Sequence, residues 1–299
     1  MSKGIKKTKS LKSKAVKANA KDLSVYVNLM TDFGFKRVFG IKEVMLNFLN
    51  AVLDVEGGIT DLTYGNVEIL GLTKDDRKAI YDLICITGKG ERIIVEIQSI
   101  RQDYFKDRIL FYASLLIQEQ NVQGRIVDDE WDFRLYPVYS VNILQFCFKK
   151  YMTNDEKFKK YLSYIQLIDR DTHELFSEKL NIVCIELPRF GKKIKDEKTF
   201  LEQWIYLIKN LHKLKKLPEE LQNEIFEKVF GMAKIAQMSK EEVNRYLKSL
   251  SDMNVVKNQF RKMSNTIAQQ KDTITQQSNT IAAMEKENSE LKRRLAINK

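Results

Sequence analysis

The chain has 299 residues, with 51 Lys and Arg against 40 Asp and Glu for a formal net charge of +11, and its 43% hydrophobic content suffices for one sizeable core or two. No apolar run approaches the roughly 18 residues of a membrane span, and the N-terminus lacks the apolar core of a signal peptide, so a cytoplasmic chain is expected. Only two histidines, His173 and His212, leave zinc chemistry or a Ser-His-Asp triad with little support, and three cysteines without motif spacing, Cys85, Cys147 and Cys184, are expected as buried thiols rather than disulfides.

The basic excess sits at the start. Residues 1–21 hold eight lysines and no acid, so the rest of the chain carries only +3. A polar stretch without aromatics buries too little surface to fold, and residues 1–22 read as a disordered tail. Such a tail serves either as a nonspecific phosphate clamp or as a solubilising extension.

The stretch DFGFKRVFG follows, with Asp32 and Lys36 spaced to pair on a helix. An amphipathic helix is predicted over 42–53, with Val44, Leu46, Phe48, Leu49 and Val52 facing inward. Residues 59–70 read as the first core strand, entering through NVEIL, and 74–78 as a charged turn.

Residues 81–98, YDLICITGKGERIIVEIQ, read as two apolar strands joined by the Gly88-Lys89-Gly90 turn. A turn centred on Lys89 sets Asp82 opposite Glu96 and Ile80 opposite Gln98. Alternation then places Asp82, Glu96 and Gln98 on one face beside Ile84 and Ile94. Directly opposed residues have Cβ atoms about 5 Å apart. Two carboxylates that close, set among apolar residues, are costly unless a cation lies between them. With oxygen ligands that cation is Mg²⁺ or Mn²⁺; the alternative is a half-buried hairpin with a polar wet face.

A helix over 103–121 carries an apolar stripe of Phe105, Ile109, Tyr112, Leu115 and Leu116. Arg108 and Tyr112, one turn apart, either reach a scissile phosphate or, for Arg108, pair with a surface acid. Residues 134–148 read as a buried strand. YLSYIQLID and NIVCIELPRF form a second β-rich region, with Pro188 ending a strand and Arg189 facing out. Helix formers dominate from 196 to 251, including a helix opening at Pro218 and one capped by the Ser239/Glu242 box.

The last fifty residues, 252–299, follow a heptad pattern. Met253, Phe260, Ile267, Ile274, Ile281, Asn288 and Leu295 occupy position a; Val256, Met263, Gln270, Gln277, Met284 and Leu291 occupy d. This predicts a coiled-coil homodimer, or else a single exposed helix.

Asp82 followed by Glu96-x-Gln98 at the end of an apolar strand resembles the PD-(D/E)XK nuclease superfamily. DFGFKRVFG and the ELPRF sequence at 186–190 are similar to landmarks of the recombination-promoting nucleases, PD-(D/E)XK transposases, over about 32–238. The resemblance implies an α/β (α+β) restriction-endonuclease-like domain at 23–195 with an αβββαβ core, followed by the helical region and the coiled coil. It implies that Asp82 and Glu96 bind Mg²⁺, with the carbonyl of Ile97 as a further ligand. Gln98 stands where the family usually has Lys; it orients a water but supplies no positive charge, which falls to the metal and Arg108. Tyr112, Asp32 and Lys36 complete the expected pocket. The implied function is a Mg²⁺-dependent DNA endonuclease linked to recombination or transposition. The alternative is an inactive nuclease fold that binds DNA or assembles through its coiled coil.

Overall fold

Near-continuous apolar runs along the central strands demand cover on both faces of the sheet, and helices supply it. The computed structural model describes residues 24–69, 79–122, 126–127, 130–131, 134–148, 160–196 and 199–297. The basic segment 1–22 and the turn expected at 74–78 lie outside the described residues.

Helices α1 (Asp32–Phe39) and α2 (Lys42–Val52) precede β1 (Leu62–Tyr64), β2 (Glu68–Ile69), β3 (Ala79–Ile80), β4 (Leu83–Thr87) and β5 (Arg92–Gln98). Helix α3 (Phe105–Val122) leads through the short β6 (Ile126–Val127) and β7 (Glu130–Trp131) to β8 (Val138–Leu144), β9 (Leu162–Ile168) and β10 (Leu175–Glu186). The chain ends in α4 (Phe200–Asn210), α5 (Glu224–Ala233) and α6 (Lys240–Ile297).

Six strands form the main sheet in the order β1-β4-β5-β8-β10-β9. β1, β4 and β5 are an antiparallel meander, and α3 carries the chain over to β8, which lies parallel to β5. That is the αβββαβ core of a PD-(D/E)XK nuclease fold. One face, with Leu83, Cys85, Ile93, Val95, Val141 and Ile143, packs on α1, α2, α4 and α5. The other, with Ile84, Ile94 and Val138, lies under Ala113 and Leu116 of α3.

The hairpin register is the expected one, since Leu83 pairs with Val95 and Ile84 with Ile94. Gly90 makes the turn at φ +90°, and an added Cβ would meet the Tyr136 ring at 2.6 Å. The hairpin is shorter than its apolar pattern suggested. Ile80 does not face Gln98; it pairs with Glu68 in a separate β2–β3 ribbon. Tyr81 causes the departure, because its N–H donates to the Val67 carbonyl at 2.9 Å while its ring is buried beneath α3. NVEIL likewise leaves the main sheet. Its Glu68–Ile69 enters the ribbon, and the ladder ends where Gly65 N–H donates to Ile84 O at 2.9 Å.

Two other expectations change. Pro218 opens only a 3-10 turn, Glu219–Leu221, and α5 begins at Glu224 under an Asn223 cap that accepts from Phe226 N–H at 2.9 Å. Arg189 does not face out: Pro188 turns the chain after β10, and the guanidinium folds back to pair with the buried Glu186. The capping box does form, with Ser239 N–H donating to Glu242 at 2.8 Å and Glu242 N–H to Ser239 Oγ at 3.2 Å. From it α6 runs unbroken for 58 residues, about 87 Å at 1.5 Å per residue. Among the described residues no helix is long and apolar enough to cross a membrane.

Candidate active site

Two acids meet where the pairing of β4 with β5 gives out. β4 starts at Leu83, so Asp82 stands just before it, in line with Glu96. Asp82 N–H donates to Glu96 Oε1 at 3.0 Å, and Ile97 N–H donates to Asp82 Oδ2 at 2.8 Å. Each carboxylate thus holds the other's strand in the absence of ladder bonds. The N–H and C=O of one strand residue leave by the same edge, so the Ile97 carbonyl lies on Asp82's side.

Glu96 is only 5% exposed, and burial is the main reason its carboxyl is pushed up to about 8. The Asp82 charge adds to that rise, while the Asp82 N–H, Arg108 and Lys36 oppose it. Asp82 is raised for the same leading reason, desolvation, and the nearby Asp32 raises it further. The Ile97 N–H bond, Lys36 and Arg108 pull it down. Two adjacent carboxyls that both resist ionisation are ones whose charged forms a nearby cation would stabilise.

Arg108 supplies part of that stabilisation. Its guanidinium donates to Glu96 Oε2 at 3.1 Å and to Gln102 Oε1 at 3.2 Å, and lies 4.8 Å over the Tyr112 ring. Tyr112 in turn packs on Tyr81, ring centroids 4.8 Å apart. Arg108 and Tyr112 therefore border a small cavity behind Glu96, with Ser140 and Asn142 on its floor.

In front lies a larger cleft of about 1110 Å³, lined among others by Asp32, Lys36, Asp82, Ile97 and Gln98. α1 brings Asp32 and Lys36 to it as a 2.7 Å ion pair. Thr31 caps that helix, accepting from Gly34 N–H at 3.1 Å, and its own hydroxyl donates to Asn28 O at 2.7 Å. A side chain at Gly34 would collide with the Asn28 carbonyl, so this close approach requires glycine. Gln98 donates its Nε2 to Ile100 O at 2.9 Å, which leaves Oε1 as its free acceptor.

Of the sequence-derived candidates, Asp32, Lys36, Asp82, Ile97 and Gln98 share the cleft. Glu96, Arg108 and Tyr112 stand behind it. Sequence reasoning missed other lining residues: α6 contributes Arg245, Lys248, Ser249 and Asp252, and the β5–α3 loop adds Arg101. The one sequence signal for the α6 residues was their i, i+3 spacing, which does not reveal what the helix docks against. Glu242 anchors α6, accepting from Arg37 of α1 at 2.5 Å.

Among the described residues no cluster of three or more His, Cys, Asp or Glu side chains is placed to hold a metal. The donors at the strand junction are the Asp82 and Glu96 carboxylates and the Ile97 carbonyl, with Asp32 nearby in its pair with Lys36. This all-oxygen set fits a hard divalent cation such as Mg²⁺ or Mn²⁺.

Compared with known families, residues 29–259 match the sequence model of the PD-(D/E)XK nuclease family transposase. No curated protein and no solved structure matches the chain.

Proposed function

The chain belongs to the PD-(D/E)XK nuclease family transposases, and from that premise we propose that it is a Mg²⁺- or Mn²⁺-dependent DNA endonuclease acting in recombination or transposition. The observation that carries the reading is the apposition of Asp82 and Glu96, each bonded to the backbone of the other's strand. Asp82, Glu96 and the Ile97 carbonyl would hold the cation. When bound, it supplies Lewis-acid activation of a water and neutralises charge on the attacked phosphate.

The chain's own residues do the rest. Arg108 fixes the rotamer of Glu96 and offsets its charge until the cation is held; it is a positioning residue. Gln98, anchored through Nε2, presents Oε1 to accept a hydrogen bond from the attacking water and so orient it. Lys36, whose charge acts on both acids, supplies the cation at the phosphate that Gln98 lacks. Arg101, Arg245 and Lys248 contact neighbouring phosphates along the cleft. The unpaired thiols of Cys85, Cys147 and Cys184 suit a reducing cytoplasm.

Nicking of supercoiled plasmid tests the proposal. Cleavage should require Mg²⁺ or Mn²⁺ and disappear in Asp82→Ala. Gln98 in the lysine position favours a second reading, an inactive fold that assembles on DNA, and that reading predicts binding without cleavage at any metal concentration.

A further inference from the structure

The face of α6 that walls the cleft continues beyond it. Tyr246 on this face is 1% exposed and its hydroxyl accepts from Asn28 N–H at 3.0 Å, with Val243 and Leu250 packed nearby. Two turns on, Met253, Val256 and Phe260 line the cleft with Asp82 and Gln98. The same heptad series then runs bare: Phe260 is 44% exposed, Ile267 61%, Ile274 61% and Ile281 57%. Met263, Met284 and Leu291 alternate with them, also exposed. One stripe is thus buried in the domain, then lines the cleft, then lies uncovered for several heptads.

Its chemistry selects the cover. In a parallel, in-register pair, Gln270 and Gln277 at d meet their own counterparts and Asn288 at a meets itself, so each amide finds an amide. In an antiparallel pair of full overlap, Gln270 would face Ile281 and Gln277 would face Ile274, leaving amides unpaired. Glu287 at g and Lys292 at e, five residues apart, are of opposite charge and meet across a parallel pair. The long apolar positions are therefore complementary to a second copy of themselves.

We infer that a second copy of this chain packs its α6 along this stripe, parallel and in register from Phe260 to Leu291. The helix pair then begins at the mouth of the Asp82 cleft, and both copies of α6 border each cleft. Two clefts at one end of a twofold rod are placed to engage one duplex together. The packing does not rest on the catalytic reading and is tested without it.

Cysteine crosslinking of the full chain reads it directly. Cys147→Ser removes the half-buried thiol and leaves the buried Cys85 and Cys184. Phe260→Cys, Ile274→Cys and the outward-facing Asn265→Cys are then each oxidised. Opposed a positions lie within disulfide reach, so 260 and 274 should give about tenfold more linked dimer than 265. Linkage at 274 without linkage at 260 would overturn the placement at the cleft mouth. No linkage at either, with the chain monomeric by light scattering, would remove the second copy as the occupant.

Discussion

Arg108 and Glu96 form a 3.1 Å ion pair in which Glu96 is nearly buried and the guanidinium is stacked on Tyr112. A guanidinium held between a buried acid and an aromatic ring orients that acid rather than reaching for substrate, unlike Lys36, whose pair with Asp32 is exposed. Arg108→Ala should therefore reduce metal affinity or cleavage by roughly 10- to 100-fold, as loss of a ligand's supporting partner commonly does. It should also move the activity profile to higher pH, because Glu96 loses a charge that lowers its pKa. A loss of activity with an unmoved pH profile would argue that Arg108 touches substrate instead.

The two acids make metal uptake pH-dependent. Glu96 is pushed up to about 8 from an ordinary 4.5, and Asp82 is also raised. The folded, metal-free chain thus binds these protons more tightly than the unfolded chain does. That contribution to stability is full below about pH 4.5 and is lost as pH rises through about 8. A cation displaces the protons, so Mn²⁺ affinity should climb across the same window while the metal-free Tm loses this contribution. Calorimetry in buffers of different ionisation enthalpy should register proton release; affinity independent of pH would count against a protonated pair.

In the proposed mechanism Lys36 and Gln98 divide the work of a single lysine. Lys36→Ala should lower the cleavage rate by about 10² to 10³, the usual loss for a donor to developing charge. Gln98→Lys in that background should restore part of it, since both side chains line the same cleft. Single-turnover rates on a defined duplex check this. An additive loss in the double variant would separate the two roles.

Arg245 and Lys248 line the same cleft as Asp82. If they neutralise phosphates, each replacement by Ala should weaken DNA binding for all sequences alike and flatten the salt dependence by about one counterion. Fluorescence anisotropy over a salt series measures both. An unchanged slope would place the duplex elsewhere.

The hairpin was legible because its turn fixes its register: once Gly88 and Gly90 bracket Lys89, Asp82 must fall opposite Glu96. Local rules also reached the Ser239/Glu242 box and the helical pairing of Asp32 with Lys36, each decided within one turn of chain. What escaped depended on distant partners. Tyr81 leaves the hairpin because α3 covers it, and Arg189 folds back because Glu186 is buried beside it. The α6 wall was hidden for the same reason, since Arg37 and Asn28, some two hundred residues away, hold that helix against α1.

The proposed chemistry requires the carboxylates of Asp82 and Glu96 to grip one ion. Titration of Mn²⁺ into the metal-free chain at about pH 8, near which Glu96 gives up its proton, measures that grip without any substrate. Saturable uptake is expected for the native chain and its loss in Asp82→Asn and in Glu96→Gln alike, with circular dichroism unchanged. Uptake that survives either substitution intact would contradict a shared ion.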